Sequence, residues 1–252
     1  MTYRIVIPAR FGSERLPGKP LADLNGVPMI VRVAEAAAGS SAEEVVVATD
    51  DERIVAAVEN AGFRAVMTRS DHPSGSDRVM EVARIGGWSE DDIILNVQGD
   101  EPFIPPAVLD QLADVLTADP DVASATLCEP ISSFEALMDP NLVKVVRSAS
   151  LRALYFSRAP IPYGRGLFDI ASGDLPAHGA WWRHIGVYGF RCWALARFVR
   201  LPAGDLETLE KLEQLRFLEH DLDMRVVEAC EPVPGGIDTE DDLARARERF
   251  EA

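Results

Sequence analysis

The chain has 252 residues, 47% of them apolar and 26% charged, the composition of a folded soluble domain rather than of a disordered or fibrous chain. Lys and Arg number 25 against 41 Asp and Glu, a formal net charge of -16, which argues against non-specific nucleic-acid or anionic-membrane binding. No apolar run reaches membrane-spanning length, Met1 to Ile5 has none of the regions of a signal peptide, and Cys128, Cys192 and Cys230 are odd in number and far apart, so the expectation is a cytoplasmic protein with reduced thiols and no zinc site.

Tyr3 to Ile7 is a β-branched run and reads as a first strand. The loop beyond it, Pro8 to Pro20, holds three cations, Arg10, Arg15 and Lys19, among Gly12, Gly18, Pro17 and Pro20. It reads as a phosphate cradle at a strand end or, more plainly, as a solvated surface turn. It matches neither the Walker pattern, because Gly18-Lys19 is followed by Pro20, nor the dinucleotide glycine fingerprint. Pro28 to Ala38 has apolar residues at helical spacing, Glu44 to Ala48 reads as a strand, and Thr49 to Glu52 opens a helix to about Asn60. Val66-Met67 is a short strand and Asp77 to Ile85 a helix. The small residues Ser74-Gly75-Ser76 before it either let a ligand approach backbone amides or merely cap the helix. Ile93 to Val97 is a strand that ends in Gln98-Gly99-Asp100-Glu101-Pro102. Asp100 there suits Mg²⁺, which takes one or two carboxylates plus substrate phosphates, and equally suits a turn.

Pro106 to Leu116 reads as a helix and Ala123 to Leu127 as a strand. Strands alternating with crossover helices predict an α/β, mainly parallel, Rossmann-like sheet that binds ligands beyond its carboxyl strand ends. The second half changes texture, with strands at Val143 to Val146, Ala153 to Phe156 and Ile185 to Phe190. Pro160 to Ala180 is rich in Gly and Pro, so roughly 150–190 is expected as a smaller second lobe of one domain spanning 1–252. His184 and Tyr188 share a strand face at even spacing, although a lone buried His is usually a core residue. Helices are expected at Trp193 to Val199 and Glu207 to His220, the latter leaving Glu213 and Gln214 in mid-helix on a solvated face. Met224 to Ala229 reads as a strand. Asp238, before Thr239-Glu240, reads as the N-cap of a last charged helix, with a metal-binding carboxylate as the alternative.

Together, Pro8 to Pro20, Val47 to Asp50, Asp71 to Ser76, Asn96 to Pro102, Asn141 to Val146, Tyr155 to Arg158, His184 to Gly189, Leu212 to Arg216 and Gly236 to Thr239 resemble the 3-deoxy-manno-octulosonate (Kdo) cytidylyltransferases, within the wider sugar nucleotidyltransferase class. The resemblance covers nearly the whole chain. It departs modestly at Ser76-Asp77, where Thr-Glu is commoner, and is weak over Gly164 to Ala180. It implies the nucleotide-diphospho-sugar transferase fold and the reaction CTP plus Kdo giving CMP-Kdo and pyrophosphate for lipopolysaccharide. On the same grounds Pro8, Ala9, Arg10, Arg15, Lys19, Ser74, Gly75, Arg78 and Asp100 would bind nucleotide, with Arg10, Arg15, Lys19 and Asp100 catalytic. Asp100 and Asp238 would hold Mg²⁺, while Gln98, Arg158, His184, Tyr188, Glu213 and Gln214 would bind the sugar. It also implies a homodimer. The competing readings are a CMP-sialate synthetase and a non-catalytic nucleotide-binding module on the same fold.

Overall fold

The computed structural model describes residues 2–12, 16–167, 174–175 and 181–251. Strand β1 (Tyr3–Ala9) buries Ile5 and Ile7 in one apolar cluster and Val6 in another, the pattern of a strand covered on both faces. A hairpin follows, β2 (Asp23–Leu24) and β3 (Val27–Pro28), turning at Asn25 and Gly26 with φ 54 and 80. Asn-Gly is the pair that such a left-handed two-residue turn favours. Helix α1 (Met29–Ala38) packs Ile30, Val33, Ala34 and Ala37 on the sheet. Strand β4 (Glu44–Thr49) leads to α2 (Glu52–Asn60), where the Asp51 carboxylate caps the Arg53 amide at 2.9 Å. Strand β5 (Arg64–Met67), helix α3 (Gly75–Ile85), strand β6 (Ile93–Asn96) and helix α4 (Pro106–Ala118) complete the alternating half.

The second half contributes β7 (Ser124–Pro130), α5 (Phe134–Met138), β8 (Lys144–Arg147), β9 (Ala153–Ser157) and β10 (Trp182–Arg191). It ends with α6 (Cys192–Phe198), α7 (Asp205–Glu210), α8 (Leu215–Glu219), β11 (Met224–Glu228) and α9 (Glu240–Glu251). The sheet runs β11-β7-β10-β6-β1-β4-β5. Every strand on that path points the same way except β10, which is antiparallel to both β6 and β7. The sheet is therefore mainly parallel, as its alternating pattern predicts. Because β10 is reversed, its N-terminal half projects past the carboxyl ends of the parallel strands. There Trp182 and Arg183 pair with Val145 and Lys144 of β8, and β8 pairs with β9. Fully buried Lys144 donates to the carbonyls of Asp139 at 2.7 Å and Leu142 at 2.6 Å, fixing the turn into β8.

Four features differ from the sequence reading. The helix expected from Glu207 to His220 is two helices, broken at Lys211, whose φ of 56 is left-handed and ends α7. Strand β10 is longer than Ile185 to Phe190, and the β2–β3 hairpin and α5 were not anticipated. Of the Gly- and Pro-rich excursion, 168–173 and 176–180 lie outside the described residues.

Candidate functional site

The carboxyl ends of β1 and β6 carry two loops pressed close together. A Cβ on Gly99 would sit 3.1 Å from the Pro8 carbonyl oxygen, and one on Gly75 would sit 3.3 Å from the Pro8 ring. These positions stay side-chain-free because strand end, helix start and loop share one small space. The cationic loop is braced from behind. The Phe11 ring lies 3.5 Å from the Arg53 guanidinium carbon, the Phe11 carbonyl accepts from Gly18 N at 3.3 Å, and Gly18 has φ 71. Leu16 packs with Leu24, Met29, Ile237, Leu243 and Ala246 in a third apolar cluster, which joins this loop to the start of α9.

A cavity of about 230 Å³ opens beside β1, lined by Pro8, Ala9, Arg10, Ser74, Gly75, Arg78 and Gln98, with His72 and Pro73. Arg10 is exposed and has no ion pair among the described residues. Arg15 lies outside the described residues. Ser74 caps α3, accepting from Asp77 N at 3.3 Å and donating to the Asp77 carboxylate at 2.7 Å. Both readings of Ser74 thus meet at one residue, since the helix it caps also opens onto the cavity. Arg78 is buried and donates to Thr68 Oγ1 at 2.5 Å and to Asp50 at 2.9 Å, which locks the first turn of α3 to the ends of β4 and β5. His72, paired with Glu81, was missed. Its signal was its place inside Asp71 to Ser76.

A second cavity, about 360 Å³, lies under the projecting half of β10, and His184, Tyr188, Gln214 and Asp238 are among its lining residues. Phe156 meets the His184 ring edge-on at 4.9 Å, and Tyr188 lies 5.4 Å from it. Burial, followed by the charge of Arg183, pushes the His184 pKa down to about 3, so the ring is neutral at neutral pH. Tyr188 is pushed up by burial, then by Glu213. Glu213 and Gln214 sit in the break between α7 and α8, not on a solvated helix face. Gln214 is buried, and Glu213 accepts from Ser76 Oγ at 2.9 Å. Burial holds the Glu213 carboxyl above its usual range. Glu213 thereby joins the second lobe to the start of α3 at the first cavity. Arg158 donates to the carbonyls of Glu210 at 2.8 Å and Pro140 at 2.9 Å and lines neither cavity. Gln98, expected among the sugar ligands, lines the first cavity. Glu101 and Arg183 also line the second cavity and were missed. Burial, then Asp100 and Asp238, push Glu101 up to about 8.

At the wall of the second cavity, where Asp238 lies, the two expected metal carboxylates converge. Asp100 Oδ2 is 2.5 Å and Asp238 Oδ1 is 3.0 Å from the Lys19 ammonium. The Asp100 carbonyl accepts from Ile237 N at 2.9 Å, and Asp242 holds the Asp238 amide at 3.0 Å. Among the described residues no cluster of three or more His, Cys, Asp or Glu could hold a metal. Two hard oxygen donors that already meet on one cation fit Mg²⁺, which completes its shell with water and substrate phosphate.

A family model described as Cytidylyltransferase matches residues 4–224. The chain is 51% identical over 247 residues to a 3-deoxy-manno-octulosonate cytidylyltransferase of Alcanivorax borkumensis, covering 98% of each chain. It is 49% identical over 256 residues to one of Cellvibrio japonicus, covering 100% of this chain and 99% of that relative. A solved structure of CMP:2-keto-3-deoxy-manno-octonic acid synthetase complexed with CTP superposes with a TM-score of 0.89 at 41% identity, covering 100% of this chain and 99% of that one. A cytidylyltransferase of Leptospira borgpetersenii, with a TM-score of 0.63 and 18% identity over 100% of this chain and 87% of that one, shares the fold.

Proposed function

The chain belongs to the 3-deoxy-manno-octulosonate cytidylyltransferase family, and from that membership we propose how its two cavities divide the work. The enzyme transfers CMP from CTP to Kdo, giving CMP-Kdo and pyrophosphate for lipopolysaccharide synthesis. The first cavity takes the nucleotide. Arg10, Arg15 and Lys19 would bind the triphosphate, and Ser74 and Gly75 bring the open amides of α3 to the ligand. Arg78, fully committed to Asp50 and Thr68, holds that helix start in place. The second cavity takes the sugar, with neutral His184, Tyr188 and Gln214 reading hydroxyls, while Gln98 would reach the sugar from the first cavity and Glu213 from the break between α7 and α8. Arg158 lines neither cavity and is tied to the carbonyls of Glu210 and Pro140, but its planar fork is the group that suits the sugar carboxylate.

The observation that carries this reading is the convergence of Asp100 and Asp238 on Lys19 at the wall of the second cavity. The anomeric hydroxyl of Kdo attacks the α-phosphorus in line as the bond to pyrophosphate breaks. The protein positions both partners and balances charge on the leaving group. Asp100 and Asp238 would hold Mg²⁺, which would supply charge neutralisation and acidify the attacking hydroxyl. A neutral His184 with a pKa near 3 is a poor proton acceptor, which leaves it an orienting role. The same reading makes the protein a cytoplasmic homodimer. Exposed Leu154, Tyr163 and Leu167 in the second lobe supply apolar surface for the partner, and no helix among the described residues is long and apolar enough to cross a membrane.

The test is pyrophosphate release from CTP with Kdo, sialic acid and sugar 1-phosphates as acceptors. Kdo is the acceptor expected to turn over. Asp100→Asn should lower kcat by about a thousandfold without shifting the unfolding midpoint. Near-normal turnover of that variant in saturating Mg²⁺ defeats the assignment.

A further inference from the structure

We propose that Lys19 is a resident counter-ion of the Asp100–Asp238 pair, which keeps a divalent cation from settling there until a polyphosphate draws the ammonium away. The inference rests on the reading of that pair as the metal site, and it concerns the order in which the site fills.

Lys19 Nζ touches both carboxylates, at 2.5 Å and 3.0 Å. Mg²⁺ takes carboxylate oxygens at about 2.1 Å, so it cannot use these two oxygens while the ammonium lies between them. Nor is the contact a loose surface pair. The Lys19 side chain is 12% exposed. Its backbone opens the turn Lys19–Leu21 directly after left-handed Gly18, and Leu16 anchors the preceding residues against Ile237 and Leu243. The backbones that carry both carboxylates are held in turn, the Asp100 carbonyl by Ile237 N and the Asp238 amide by Asp242. With the ammonium in place the trio carries one net negative charge. Withdrawing the ammonium uncovers the two oxygens it touches, and hard anionic oxygens are what a divalent cation takes.

A lysine suits an exchange of partners. Its charge is compact, its stem has four carbons, and its three donors rotate freely. A triphosphate arriving over the cationic loop offers the ammonium a competing set of oxygens and frees the carboxylates. Nucleotide and cation then bind cooperatively, and the coupling is reciprocal. Arg10, on the same loop but without a carboxylate partner among the described residues, has no such exchange to make.

The experiment titrates Mn²⁺ by electron paramagnetic resonance, first against nucleotide-free protein and then against its CTP complex. Lys19→Met should bind Mn²⁺ about tenfold or more tightly than wild type without nucleotide. Lys19→Arg, which keeps the charge, should show no such gain, and the gain should vanish in Lys19→Met/Asp238→Asn. Lys19→Gln replaces the Met variant if unfolding midpoints show it destabilised. Equal Mn²⁺ affinity in wild type and both uncharged variants overturns the proposal, while Asp100→Asn weakening Mn²⁺ in the CTP complex leaves the metal pair standing. If Asp100→Asn leaves Mn²⁺ binding in the CTP complex unchanged, the metal pair itself is wrong and the proposal falls with it.

Discussion

His184 illustrates how one side chain acquires a role its neighbours permit. The Thr126 hydroxyl lies 3.0 Å from its Nε2 and is also shared with the carbonyls of Ile185 and Val187. Phe156 and Tyr188 fill the space around the ring. The surroundings refuse a proton that the unfolded chain takes up near pH 6.5. The unfolded state therefore binds more protons than the folded state between pH 6.5 and about 3, and stability falls as pH drops through that window. His184→Gln removes this contribution. Calorimetry should find that the variant loses less of its Tm than wild type between pH 7 and pH 5, and an equal loss in both proteins contradicts a neutral buried imidazole.

Strand β10 sets the geometry of the second cavity, and it depends on a glycine. A Cβ on Gly189 would lie 2.9 Å from Leu116 and 3.3 Å from Leu112 of α4 and 3.0 Å from Leu95 of β6, all buried. Overpacking there should cost about 1–3 kcal/mol, so Gly189→Ala should lower the urea midpoint at unchanged slope. The direction of β10 was not legible in sequence, because nothing in Ile185 to Phe190 distinguishes a parallel strand from a reversed one. Its extra residues, Trp182 and Arg183, read as polar or aromatic loop until β8 pairs with them. The α7–α8 break was hidden for a different reason. Lys211 is an ordinary helix former whose left-handed backbone is imposed by packing of the flanking segments rather than by its own preference. Asn25-Gly26, by contrast, was a readable turn signal that lay beside a louder cationic loop. The alternating first half was plain, since Val45 to Val47 and Ile93 to Leu95 are apolar on both faces and Asp51 and Ser74 cap α2 and α3. Asp100 was legible by position at a strand end. Asp238 looked like a cap, and only the fold brings it 3.0 Å from Lys19 across 219 residues.

At the scale of the whole molecule, a formal charge of -16 surrounds a site built for polyanions. Self-repulsion of that size weakens the compact state, and salt screens it over about 10 Å at 0.1 M. The Tm of nucleotide-free protein should rise by a few degrees between 10 mM and 150 mM NaCl. A fall instead would show that favourable ion pairs, such as Arg183 with Glu129 and Arg216 with Glu207, outweigh the net repulsion. The third apolar cluster has a further consequence. It gathers Leu16 and Leu24 from early in the chain with Ile237, Leu243 and Ala246 from late in it. During translation, strands β1 to β6 can pair and bury their faces while the ribosome is still working, but the carboxylate pair does not exist until Asp238 has emerged. The nascent polypeptide is thus without a reaction centre until that residue is made, and catalytic competence waits for it.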